Sequence, residues 1–208
     1  MNVHADVLEA TQRRALEAIS PIAAERDFYL AGGTAVALHL GHRRSVDLDW
    51  FANRLDDPMR LAQALRDAGL AFETGQVEPG TLHGRAGDVA ASFLGYRYPL
   101  LSPLQRWPEV GCSLASLDDL ACMKLSAIAQ RGAKKDFLDL YVLLEHRSLK
   151  ELIRLYQQKF DTGDVAHLLY ALSYFDDADR QPTPVLLREL DWPTVKRSIR
   201  AEVEEFAG

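Results

Sequence analysis

The chain has 208 residues, 48% of them hydrophobic and 26% charged, enough for one large or two small globular domains with a substantial core and no long disordered stretch. Its formal net charge of -6 and pI of about 5.5 exclude a protein that coats nucleic acid with its whole surface; contact with RNA would need a local patch, from His42, Arg43 and Arg44 or from the basic residues of 131–135. No apolar run approaches the roughly 20 residues of a membrane span, the N-terminus lacks the pattern of a signal peptide, and two cysteines make no disulfide framework, so a cytoplasmic protein with Cys112 and Cys122 buried and reduced is expected.

Apolar residues at helical spacing (Leu8, Leu16, Ile19, Ile22) predict a helix over roughly 5–26, which Pro21 could kink or divide. FYLAG reads as a short buried strand, and GTAVALHLG as a short helix closed by Gly41. SVDLDWF alternates strictly, with Val46, Leu48 and Trp50 on one face and Asp47 and Asp49 on the other, the pattern of a strand. Asp57 and Pro58 open a helix that Gly69 stops. Between 70 and 101, glycine alternates with β-formers, predicting two or three antiparallel strands. After the connector SPLQRWPEVG the texture becomes helical: SLDDLACMKLSAIAQRG starts with an N-terminal capping signal, KKDFLDLYVLLEHR continues it, Ser148 caps a further helix, and two or three more follow, the last after Pro193. This is an α+β chain, with a mixed α/β domain over 1–110 and a helical domain over 111–208.

Three features occur in order: a glycine pair after a strand, a helix start, and a D-x-D strand. Glycines let backbone approach a phosphate closely, a helix N-terminus offers free N–H groups to an anion, and Thr34 adds a hydroxyl. Aspartates two apart on a strand share a face, with Cα atoms roughly 6.5 Å apart. Their carboxylates can converge on a hard cation, and magnesium typically takes one or two carboxylates plus substrate phosphates. Alone, a glycine pair is more often a turn and a D-x-D more often a solvated strand face; the combination in a strand–helix–strand context is more specific.

FYLAGGTAVALHLGHRRSVDLDWF resembles the first motif of the AbiEii/AbiGii-type toxin nucleotidyltransferases, within the polymerase β-like superfamily, and LDDLACMKLSAIAQRGAKKDFLDLYVLL resembles the helical motifs of that family. The resemblance spans roughly 29–144. It implies a polymerase β-like mixed sheet with flanking helices and a helical half that completes the active-site cleft. It also implies transfer of a nucleotide from a nucleoside triphosphate to a hydroxyl of an RNA such as tRNA, a protein or a small molecule, as the toxin of a toxin–antitoxin pair with a cognate antitoxin. By the resemblance, Gly32, Gly33 and Thr34, with Arg43 and Arg44, would bind the triphosphate. Asp47 and Asp49 would hold Mg2+, as one ion or two, with Mn2+ a substitute. Lys124 would meet a phosphate and Asp136 would complete the site. No membrane partner is implied.

One departure stands out. Many polymerase β-like enzymes carry a third carboxylate on a later strand, and the aligned position here is Ser92, with no acid between Asp88 and Glu109. Asp136 or another means must then activate the acceptor, or the chain is a non-catalytic relative that binds nucleotide or a partner. His39 and His42, spaced i, i+3, are a weaker candidate metal pair, and Asp139, three residues after Asp136 and on its helix face, reads as a residue of a structural ion pair.

Overall fold

The structure, a computed structural model, describes residues 3–208. After a single 3-10 turn at Ala5–Val7, α1 (Ala10–Ala24) runs unbroken through Pro21. β1 (Tyr29–Ala31) leads directly into α2 (Gly32–Leu40), and Gly41 ends that helix in the left-handed conformation at φ 63°. β2 (Asp47–Ala52), α3 (Pro58–Asp67) and the antiparallel run β3 (Phe72–Glu78), β4 (Thr81–Ala86) and β5 (Val89–Gly95) follow. The proline-bearing connector contains β6 (Gln105–Trp107), which pairs with β7 (Cys112–Leu114). Six helices complete the chain: α4 (Leu117–Arg131), α5 (Lys134–Leu143), α6 (Leu149–Phe160), α7 (Ala166–Ser173), α8 (Asp176–Asp179) and α9 (Trp192–Ala207).

The seven strands form one mixed sheet in the order β3-β4-β5-β2-β1-β7-β6. β2 is central, antiparallel to β1 and parallel to β5. Its alternation is as the sequence requires: Leu48, Trp50 and Ala52 are buried, while Asp47, Asp49 and Phe51 are partly open. Val46 precedes the strand and is 67% exposed, so the apolar face starts at Leu48. Trp50 stacks on Phe93 of β5 across the strand pair, with ring centroids 6.3 Å apart.

β7, at 112–114, lies on the helical side of the expected boundary at 110, yet it belongs to the sheet as the parallel neighbour of β1. The two halves also share a core. α2 packs against α4 and α5. The buried Lys159 of α6 donates 2.7 Å bonds to Asp119 Oδ1 and to the Pro99 carbonyl, and Asp119 accepts from the Leu101 N–H. That buried pair fastens the connector to α4 and α6, with its remaining bonds satisfied by backbone, the condition under which a buried ion pair is tolerated. Both cysteines are free and buried, and burial raises their thiols to about 11 for Cys112 and about 12 for Cys122.

Candidate active site

The strand-to-helix junction sets the floor of the site. Gly32 begins α2 with φ +65°, and a Cβ there would collide with Asp49 Oδ2, so only glycine lets this backbone lie against the carboxylate. Asp49 is also the register partner of Ala31. At Gly33 an added Cβ would stand 2.5 Å from Arg43 Nη2. The N-terminus of α2 is thus pressed between an aspartate and an arginine. Its free N–H groups and positive dipole end lie beside the D-x-D strand.

Asp47 and Asp49 project from the same face of β2 into a cleft of about 670 Å³. The far wall is α4 and the start of α5, contributing Lys124, Ala127, Arg131 and Lys135. Lys135 Nζ is 3.9 Å from Asp47 Oδ2. Burial raises the Asp49 carboxyl above its ordinary range, and the charge of Asp47 adds to the rise. A buried carboxylate repelled by a second one gains from a bound cation. The two carboxylates therefore suit a hard divalent cation, and the helix N-terminus beside them suits an anion. Among the described residues no cluster of three or more His, Cys, Asp or Glu could hold a metal by itself.

Behind the α4 wall lies a buried charge network. Asp139, fully buried, accepts from Arg43 Nε at 2.6 Å, Arg43 Nη2 at 2.8 Å and His42 Nε2 at 2.8 Å. Lys124 Nζ lies 2.7 Å from Asp139 Oδ2 and 2.9 Å from Asp136 Oδ1. Arg131 closes a two-bond fork on Asp136, Nε to Oδ2 at 2.8 Å and Nη2 to Oδ1 at 3.1 Å. Burial alone would raise both carboxyls, but Lys124, with Arg131 on Asp136 and Arg43 on Asp139, outweighs it and holds both well below the usual carboxylate range. Burial likewise opposes the charge on Lys124, and Asp139 and Asp136 overcome it, so its ammonium is held more firmly than usual.

The expected site residues therefore separate into groups. Gly32, Gly33, Asp47 and Asp49 line the cleft, with Arg43 and Lys124. The last two reach it while anchored to Asp139 from behind. Asp136 is fully buried and does not line the cleft; its oxygens are taken by Lys124 and Arg131. Thr34 is 1% exposed, and its hydroxyl bonds to Ser45 Oγ at 2.8 Å and to the Asp47 carbonyl, so it ties α2 to β2 instead of offering a donor to a phosphate. Arg44 lies outside the cleft: its guanidinium meets Glu9 at 3.0 Å on the surface, because Arg43 sits in an extended bridge to Leu186 and successive side chains of extended backbone point to opposite sides. His39 bonds the Ala115 carbonyl and His42 bonds Asp139, so the two rings are committed to different partners. Of the two basic clusters, His42 and Arg43 are buried, while Arg131 and Lys135 remain about half exposed at the cleft.

Sequence reasoning missed His83, Ser45 and Gln130, which also line the cleft, and the aromatic pair Phe51 and Tyr96 at its other end, 5.4 Å apart edge to face. Ser92, the position expected to hold a third acid, is the register partner of Asp49 on β5. The only signal for His83 was the alternation of TLHGR, which becomes informative once its pairing with β5 is known.

The sequence matches the family model "Nucleotidyl transferase AbiEii toxin, Type IV TA system" over residues 14–106 and 99–207. An uncharacterized protein of Aquifex aeolicus (strain VF5) is 35% identical over 203 residues, covering 96% of this chain and 97% of its own length. Among solved structures, JHP933 from Helicobacter pylori aligns with a TM-score of 0.57 at 18% identity, over 98% of this chain and 92% of its own. MenT4, a nucleotidyltransferase toxin of Mycobacterium tuberculosis H37Rv, aligns at 0.55 and 16%, over 94% and 84%. ANT(2'')-Ia in complex with adenylyl-2''-tobramycin aligns at 0.56 and 15%, over 73% and 98%. At such identities the structural likeness is one of fold: the mixed sheet with flanking helices of polymerase β-like nucleotidyltransferases.

Proposed function

The chain belongs to the AbiEii family of nucleotidyltransferase toxins of type IV toxin–antitoxin systems, and from that premise we propose that it moves a nucleoside monophosphate from a nucleoside triphosphate to an acceptor hydroxyl in the cleft between β2 and α4. The observation that carries this reading is the joint placement of Asp47 and Asp49 on one strand face, the N-terminus of α2 against Asp49, and Lys124, Arg131 and Lys135 opposite them. A triphosphate laid between these walls meets cations on one side and the helix N-terminus on the other.

Asp47 and Asp49 are the residues that would hold Mg2+, or Mn2+ in its place; the ion when bound would neutralise triphosphate charge and polarise the α-phosphate. The chain's own groups do the positioning. Gly32 and Gly33 keep the backbone low enough for phosphate oxygens to reach the N–H groups at the start of α2. Arg43 and Lys124, pinned by Asp139, present fixed positive charge that needs no reorganisation during the reaction. Arg131 and Lys135, about half exposed at the rim, suit the leaving pyrophosphate. Phe51 and Tyr96 provide apolar faces for a base.

The acceptor is reached by an experiment with three arms. Each α-labelled triphosphate, with Mg2+, is incubated with total RNA, with a protein lysate, and with a panel of hydroxyl-bearing small molecules. Label in one arm assigns the acceptor class. Binding of Mg2+-triphosphate without label in any arm would instead support the second reading, a non-catalytic relative, which the serine at position 92 favours. A cognate antitoxin partner follows from the family and is tested by rescue of growth arrest on co-expression of the neighbouring gene product.

A further inference from the structure

The acceptor hydroxyl must lose a proton as it attacks, and the cleft supplies few groups to take it. Among the described residues lining it, the carboxylates are Asp47 and Asp49 alone, and both are assigned to the cation. Asp136 is fully buried, fully bonded to Lys124 and Arg131, and held below the ordinary carboxylate range, so it is neither reachable nor basic. Lys124, Arg43 and Arg131 are cations locked by carboxylates. Lys135 is a further cation, facing Asp47 at 3.9 Å, and the one imidazole among the described cleft-lining side chains, a group able to take a proton from a hydroxyl, is His83 on β4.

Register puts His83 in line with the D-x-D strand. Asp49 pairs with Ser92 on β5, and Ser92 pairs with His83 on β4. Residues opposite one another on paired strands share a face, so Asp49, Ser92 and His83 form a row across three adjacent strands on the floor of the cleft. Neighbouring strands are about 4.8 Å apart, which sets the imidazole beyond the metal-binding pair on the side away from α2. His83 Nδ1 lies 2.9 Å from Ser92 Oγ. When Nδ1–H donates to that hydroxyl, the lone pair resides on Nε2, the nitrogen left to face a bound acceptor. Ser92 then orients the histidine much as a third group orients a catalytic base elsewhere.

We propose that His83 is the general base of this enzyme, held by Ser92, and that the pair replaces the missing third carboxylate. The proposal rests on the nucleotidyltransferase reading above. In the step, the acceptor oxygen forms a bond to the α-phosphorus while its proton passes to His83 Nε2. The bond from the α-phosphorus to the bridging oxygen breaks, and its electron pair leaves with pyrophosphate. The proton then passes from Nε2 to water.

The test measures labelled transfer to the acceptor class found above, in the full chain, for the wild type, His83→Ala, and His83→Ala combined with Ser92→Asp. Calorimetry of Mg2+ with a non-hydrolysable triphosphate runs in parallel. General-base loss costs on the order of a hundredfold or more, so His83→Ala should lose transfer by that factor and keep nucleotide affinity. Imidazole added to the buffer should restore part of the rate. Ser92→Asp, which sets a carboxylate in register beside Asp49, should restore transfer in the His83→Ala background. His83→Ala transfer within about threefold of wild type overturns the proposal, and so does a loss that neither imidazole nor Ser92→Asp reverses. A wild-type protein that labels nothing overturns the nucleotidyltransferase reading itself, and the base with it, a result separable from the others because it appears before any variant is compared.

Discussion

At the scale of single residues, burial sorts the charged side chains into two classes whose stability effects have opposite sign. Asp49 is a carboxylate whose folded pKa is raised, first by burial and then by Asp47, so its charge costs stability at neutral pH and that cost is relieved as pH falls through its folded value. Asp49→Asn should therefore raise the melting temperature of the metal-free protein, by about 2–4 °C if the relief is ~1 kcal/mol. The same change should weaken Mg2+-dependent triphosphate binding by on the order of tenfold or more, as read by calorimetry with and without Mg2+. Equal affinity in both proteins would remove Asp49 from the site. Asp136 and Asp139 behave oppositely. Their folded pKa values are depressed, so the stability they contribute is present above the unfolded value of about 3.9 and is lost as pH falls through the folded values. Burial also holds His39 and His42 below the ordinary imidazole value, so the melting temperature should start to fall as pH drops through about 6.5 and fall more steeply below about 4, and Asp139→Asn should flatten the lower part of that fall. Lys124→Ala leaves two buried carboxylates without their shared cation and should cost about 3–5 kcal/mol. Thermal melts that show no loss would mean that water enters the network freely.

At the scale of elements, the junction between β1 and α2 is the least forgiving part of the chain. Gly32 combines a left-handed φ with contact against Asp49, so Gly32→Ala meets both backbone strain and a displaced carboxylate. It should destabilise by more than ~1 kcal/mol and should lower triphosphate affinity as well, whereas a glycine serving only as a turn would show the first effect alone. Gly33→Ala presses on the Arg43 guanidinium, and two bonds to Asp139 keep that group from swinging aside. Helix α4 carries the complementary wall. Ser116 caps it by accepting from the Asp119 N–H, and Gly132 ends it in the left-handed conformation before α5 starts. That break lets Arg131, at the end of α4, double back onto Asp136 in the first turn of α5.

At the scale of the whole molecule, sheet and helices are interdependent. β1 lies between β2 and β7, and β7 follows residue 110. A fragment of residues 1–110 loses a sheet neighbour of β1, the packing of α4 and α5 on α2, and the acidic partners of Arg43 and His42. It should fail to unfold cooperatively when melted, in contrast to the full chain; a cooperative transition in the fragment would establish 1–110 as an independent folding unit. Binding of Mg2+ and triphosphate between the halves should stabilise the full chain by mass action, by about 2.7 kcal/mol at a hundred times Kd.

The strand alternation of SVDLDWF, the glycine pair before a helix, the caps at Ser116 and Ser148, and the change from mixed to helical texture are all legible in the chain, because they depend on local geometry of period two or 3.6. The sequence also carries the family signature. Which polar groups face the cleft depends on how the elements pack. The motifs point to Thr34, Arg44 and Asp136 as site residues, but Thr34 ties α2 to β2, Arg44 pairs with Glu9, and Asp136 sits behind the wall. His83 emerged only from the register of β4 on β5. Neutralising Asp139 takes Arg43, His42 and Lys124 from distant parts of the chain, and no local pattern records such a pairing. The free energy of burying a charge depends on partners that folding brings together, so the roles of these residues are set by tertiary contacts far from them in sequence.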